Sequence, residues 1–154
     1  MLSSRRRRAL YACDRATRSG KGAEVNKQPV NPTTWQERFG FSQGWRVEEP
    51  KTLLFVAGQV PVDDSGQVVG EGDLEAQVRQ VFLNVGLVLE QAGMTFDNLV
   101  QVAVYMTDIS QLRTYARVRD EFVNTNSPPA STALGVAGFA LPGMMVEVNA
   151  IAVA

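Results

Sequence analysis

Glu147 is the single ionisable side chain in the apolar run from Met144 to Ala154. A lone carboxylate in a β-type segment is costly to bury unless a partner or a site uses it. Two readings follow: a residue of a chemical site, or a solubility charge on an edge strand. Upstream, Ser131 and Thr132 place two hydroxyls after Pro128, Pro129 and Ala130. The chain has no histidine and one cysteine, Cys13. Imidazole acid/base catalysis, Ser–His triads and nearly all zinc sites are thereby excluded, and no intramolecular disulfide can form. Chemistry here must use carboxylates, backbone amides, hydroxyls or bound water, with neither metal nor cofactor expected.

With 154 residues, 45% of them hydrophobic and 20% charged, the chain fits one globular domain with a core of its own. No apolar run approaches the roughly 20 residues that span a bilayer. Residues 1–30 carry eight basic and two acidic side chains, whereas 31–154 carry seven basic and fourteen acidic. The acidic body argues against nucleic-acid binding by the folded part, leaving only the tail for polyanions. Residues 1–30 read as a disordered basic tail and 31–154 as the domain. Two other readings of the tail stay open: a transit peptide in residues 1–23, or a start codon assigned too early. A cytoplasmic address is expected, with a mitochondrial one if the transit reading holds.

The elements that must position Glu147 can be read from pattern. Phe39 to Val47 and Thr52 to Val60 are strand-like runs around Glu48, Glu49, Pro50 and Lys51, which predicts a hairpin. Asp73 is a good N-cap and Gly93 a good stop for a helix whose apolar stripe is Leu74, Val78, Val81, Phe82, Val85 and Leu89. Leu99 to Met106 is nearly continuously apolar, as in a strand covered on both faces. Ser110 is read as the cap of a second helix to about Asn124, with Leu112, Tyr115, Val118 and Phe122 inward and Arg113, Arg117 and Asp120 outward. Two strands follow. Trp35 and Trp45 read as packing residues. The order ββαβαββ predicts an α+β domain with one sheet, helices on one face, and an opposite face that oligomerisation would cover.

The ordered set of segments resembles the RidA (YjgF) family. The matching pieces are Phe41 to Gln43, Leu54 to Gln59, Gln77 through Asn84 to Leu89, Ala92–Gly93, Val104 to Asp108, Pro129–Ala130, and Leu141–Pro142 through Glu147 to Val153. The resemblance implies a chorismate-mutase-like homotrimer with a β-barrel core, helices outside, and small-molecule clefts between subunits. It further implies hydrolysis of 2-enamine and 2-imine acids to 2-keto acids and ammonia, with no metal or organic cofactor. Carried over by position, the pocket aromatic is Phe41, the loop is Ala57, Gly58 and Gln59, and the candidate catalytic carboxylate is Glu147. An arginine that forks the substrate carboxylate falls at Ser131, beside Thr132, and a helix asparagine falls at Ala116.

An arginine fork supplies charge-assisted bonds of about 1.5–3 kcal/mol each, so its replacement by Ser131 counts against the standard 2-imino-acid activity. Arg46 and Arg113 lie on the hairpin and the outer helix face, which keeps them from the pocket. Two function classes remain: a metal-free hydrolase of imine-type metabolites centred on Glu147 and Gly58, and a ligand-binding or partner-binding trimer without chemistry.

Overall fold

The computed structural model describes residues 25–154. Expectations for residues 1–24, including the basic run Arg5–Arg8 and the transit-peptide reading, lie outside the described residues. The chain runs through β1 (Asn26–Val30), β2 (Gly44–Glu48), β3 (Leu53–Gln59), helix α1 (Leu74–Gln91), β4 (Leu99–Met106), helix α2 (Leu112–Arg119), β5 (Ala130–Gly135) and β6 (Val146–Val153). No helix among the described residues is long and apolar enough to cross a membrane.

β3, β6, β4 and β5 form a four-stranded sheet in that order; β3–β6 and β6–β4 are antiparallel, β4–β5 parallel. Side chains alternate across β6, where Val146, Val148, Ala150 and Ala152 are buried. They meet Val78, Val81, Phe82, Val85 and Leu89 of α1, with Tyr115 and Val118 of α2. Each fully buried aliphatic side chain adds about 1.5–3 kcal/mol, so this stripe-on-sheet contact is the main driving term. Phe82 stacks on Phe122 at 5.3 Å between ring centroids, which extends the core past the end of α2. The other sheet face is open: Phe55 is 72% exposed, Leu53 54% and Leu134 50%.

The first helix is as read from sequence. Asp73 accepts a hydrogen bond from the Ala76 amide at 3.1 Å, and Gly93 ends the helix at φ +71°. Gln77, within the stripe, is fully buried because its amide replaces backbone pairing: it donates to Gly143 O and accepts from Met145 N, both at 2.7 Å. Asn84 likewise donates to Val60 O and Val62 O at 3.0 Å each. These side chains fix the loops that lead out of β3 and into β6.

Three sequence expectations need correction. First, β2 and β3 do not form a hairpin. β2 pairs with β1 from Asn26↔Glu48 to Val30↔Gly44, and β3 pairs with β6. Glu49, at φ +48°, turns the chain away, and Pro50 has no amide to continue a ladder. Second, β1 takes residues 26–30 from the stretch read as tail into a strand, held by that five-pair register and by Lys27 over the Trp45 ring. Third, α2 starts later and stops sooner. Asp108 rather than Ser110 supplies the cap, and it opens a 3-10 turn, Ile109–Gln111. The Ser110 hydroxyl is used as a donor to Asp108 at 2.6 Å. After Arg119 the amides of Phe122 and Val123 both turn back to the Arg119 carbonyl, closing the helix five residues before Asn124.

Candidate active site

The β3–β6 register slips between Val56↔Ala150 and Gln59↔Val148, so Ala57 and Gly58 form a bulge without partners on β6. Both bulge residues are exposed. Glu147 lies beside it on β6, a strand paired on both sides, so the edge-strand reading of this carboxylate falls. Its side chain lies over Gly58. A Cβ at that position would overlap Oε1 of Glu147 outright and stand 2.7 Å from Cδ and 3.2 Å from Cγ. Gln59 folds back, donating to Ala57 O at 3.2 Å. The product is a carboxylate beside an exposed backbone bulge, half exposed on the open face.

The register fixes what shares that face. Glu147 pairs with Tyr105, which pairs with Leu134; Asn149 pairs with Ala103, which pairs with Thr132. Ser131 pairs with Val102 in the helix-facing row. Counting two strand spacings and three residues, Ser131 and Glu147 of one chain lie roughly 14 Å apart. One small molecule cannot touch both.

Ser131 and Thr132 instead wall a cleft of about 340 Å³ with Gln43, Gly44, Trp45, Val100, Gln101 and Ala130. β5 is an edge strand, so the cleft meets both of its faces. The β2 side is stitched on by backbone acceptors. Ser42 Oγ donates to Pro128 O at 2.7 Å, Ser42 N to Pro129 O at 3.1 Å, and Trp45 Nε1 to Pro128 O at 3.0 Å. Ser42 also makes a parallel bridge with Ala130, which sets Phe41 on the β5 side. Phe41 joins Trp35 and Phe39, edge-to-face with Trp35 at 5.6 Å. Trp35 packs on both rings yet stays 56% exposed on its outer side. Gly58 and Glu147 are thus brought together, Ser131 and Thr132 share the cleft, and Phe41 belongs to the Trp35–Phe39 cluster rather than to the cleft wall.

Two cations were missed in the sequence. Arg119 is buried on α2, hydrogen-bonded to Asp120 at 2.7 Å and to Phe39 O at 3.2 Å. Its spacing from Tyr115 and Val118 placed it on the inward stripe, a signal that was available. Lys27 sits 5.3 Å from the Trp45 ring centroid and donates to Asp97 O. Burial pushes the Lys27 pKa down, with Asp97 opposing. Neither cation walls the cleft. Gln101 was also legible: it is the only polar residue in the apolar strand β4. Arg46, paired with Glu48, and Arg113 are both exposed, as expected. Among the described residues no group of three His, Cys, Asp or Glu side chains comes close enough to hold a metal ion.

The family model described as "Endoribonuclease L-PSP" matches residues 36–154. A RutC family protein of Pyrococcus abyssi is 36% identical over 131 residues, 84% of this chain and 91% of that protein. The chain belongs to the RidA (YjgF/RutC) family. Human 2-iminobutanoate/2-iminopropanoate deaminase is 34% identical over 102 residues, 65% of this chain and 72% of the human one. A crystal structure of YyfB from Yersinia pestis, a Rid-family protein of unknown function, matches with a TM-score of 0.74 at 30% identity. It covers 84% of this chain and 99% of YyfB. The mixed α+β fold expected from the sequence is therefore that of Rid-family structures, here with the β1–β2 pair leading the sheet.

Proposed function

We propose that this RidA-family member hydrolyses imine- or enamine-type small molecules without metal, at a site completed between copies of the chain. The observation that carries this reading is the Glu147 carboxylate lying over the Gly58 bulge. Such a carboxylate can hold a water and take its proton as the oxygen attacks the C=N carbon. Backbone groups of the exposed bulge, beside that carboxylate, are assigned the hydrogen bonds to the substrate. Water adds across C=N, the C–O bond forms, the C–N bond breaks, and ammonia leaves with the proton returned to nitrogen.

The second copy is invoked because Glu147 and the Ser131 cleft stand too far apart in one chain to share a small substrate. The open apolar face at Leu53, Phe55 and Leu134 supplies a surface for that association. A homotrimer is the assembly the family resemblance implies. The name of the human relative supports imine chemistry, and Ser131 marks a different anchor for the substrate.

Freshly generated 2-aminoacrylate, followed by release of ammonia and pyruvate, tests this. Wild type is expected to act weakly and Ser131→Arg more strongly, while Glu147→Gln loses about 10²-fold or more. Full activity in Glu147→Gln would reject the assigned role. Ligand binding with no turnover of any imine, in wild type and Ser131→Arg alike, would favour a binding protein instead.

A further inference from the structure

We infer that the cleft beside Ser131 selects uncharged ligands: imines or enamines that carry a carboxamide, lactam or hydroxyl where a carboxylate would otherwise stand. This rests on the hydrolase reading above, extends it to the substrate class, and names Gln43, Trp45, Gln101, Ser131 and Thr132 as the selecting residues.

Every polar side chain of the cleft wall is neutral. Beyond the β4–β5 backbone ladder, the side chains of Gln101, Ser131 and Thr132 make no hydrogen bond among the described residues, so one amide and two hydroxyls remain to serve a ligand. Gln43 is held differently, its Nε2 donating to Thr33 and to Gln36, the latter at 2.8 Å. That orientation leaves the Gln43 amide preorganised rather than searching. Trp45 is fixed as well, by its Nε1 bond to Pro128 O and by the Lys27 ammonium over its ring. A fixed indole beside Val100 and Ala130 makes an apolar wall for a flat group.

A carboxylate entering this cleft would meet no cation in the wall that one chain builds, and so nothing there to replace the hydration it gives up. An amide of the same shape would exchange its water bonds for Ser131, Thr132 and Gln101, at far smaller cost. Lys27, over the ring of Trp45, is a competitor as an anion anchor. Its Nζ is bound to Asp97 O, and burial already disfavours its charged form.

Pyruvate and pyruvamide, near-isosteric and differing in charge, are suitable probes, with binding to the full-length protein followed by ligand-observed NMR titration. Wild type is expected to prefer pyruvamide by about tenfold or more. Ser131→Arg should reverse that preference. Gln101→Arg, at an exposed position, supplies a second route to the same reversal if the first variant does not fold. Equal or tighter binding of pyruvate by wild type overturns the inference, and its loss in Lys27→Gln would identify Lys27 as the anion anchor. Failure of both probes to bind overturns it as well. Because binding is read without turnover, this result is independent of the Glu147→Gln hydrolysis test: the cleft can be neutral-selective in a protein that hydrolyses nothing.

Discussion

Glu147 occupies the space that a side chain at position 58 would need. The bulge and the carboxylate are therefore one feature, built from β3 and β6 together. Glycine at position 58 leaves the room that the carboxylate occupies.

The coupling of the two residues can be measured. Gly58→Ala should cost at most about 1 kcal/mol, because the flexible end of Glu147 can swing aside. In the Glu147→Ala background the same change should cost little, because the obstructing atoms are gone. A double-mutant cycle from urea unfolding reads the difference. Additive costs would mean the carboxylate does not rest on Gly58.

Gln77 should matter to stability out of proportion to its polarity. Gln77→Leu leaves Gly143 O and Met145 N without their bonds beneath α1. A loss of about 1–3 kcal/mol is expected, since the half-buried Met145 amide is orphaned while the carbonyl of exposed Gly143 can turn to water. Chemical denaturation checks this, and an unchanged midpoint would show that the loop before β6 is held by other means.

Arg119 latches the segment that presents Phe41. It bonds the Phe39 carbonyl, and the guanidinium lies 2.8 Å from where a Cβ at Gly40 would be. Arg119→Met should lower stability by about 1–2 kcal/mol, a modest figure because its partner Asp120 remains half exposed to water. In a Trp45→Phe background the emission of Trp35 should shift, reporting release of the Trp35–Phe39–Phe41 cluster. An unaltered spectrum would argue that Arg119 does not hold that segment.

Asp108 gives a pH dependence with a definite sign. The Ser110 hydroxyl, the Gln111 amide and the Ser110 N–H hold its carboxyl below the ordinary value of 3.8. Unfolding raises that pKa, so the unfolded chain binds more protons in the window just under 3.8. The contribution of Asp108 is complete above the window and is lost as pH falls through the depressed folded value. In Asp108→Asn this titration is absent. The gap in melting temperature between wild type and variant should hold from neutral pH to about 4 and narrow below it. A constant gap down to pH 3 would contradict the cap.

Local signals were sufficient for much of the fold. Asp73, the stripe from Leu74 to Leu89 and Gly93 define α1, because capping and a 3.6-residue period act within one segment. β4 was legible for the same reason: its apolar run is bounded by a turn at each end. The hairpin failed because strand pairing is a non-local choice. The pattern of β2 marks a strand but not its partner, and residues 26–30 supplied one that composition had assigned to a tail. Ser110 was misread because two residues separated only by Ile109 could each cap, and the carboxylate of Asp108 accepts where the hydroxyl of Ser110 donates.

The sequence by itself determined the class of chemistry available: no imidazole, a lone carboxylate at Glu147, and hydroxyls at Ser131 and Thr132. It also determined the helices and the family resemblance, since residue type and short-range period are properties of the chain alone. Only the tertiary structure decided which of these groups meet. The register of β3 on β6 brought Gly58 under Glu147, and that of β5 on β4 kept Ser131 away from both. The physical reason is that a backbone ladder shifts in steps of one residue, and each step reverses the face on which a side chain stands.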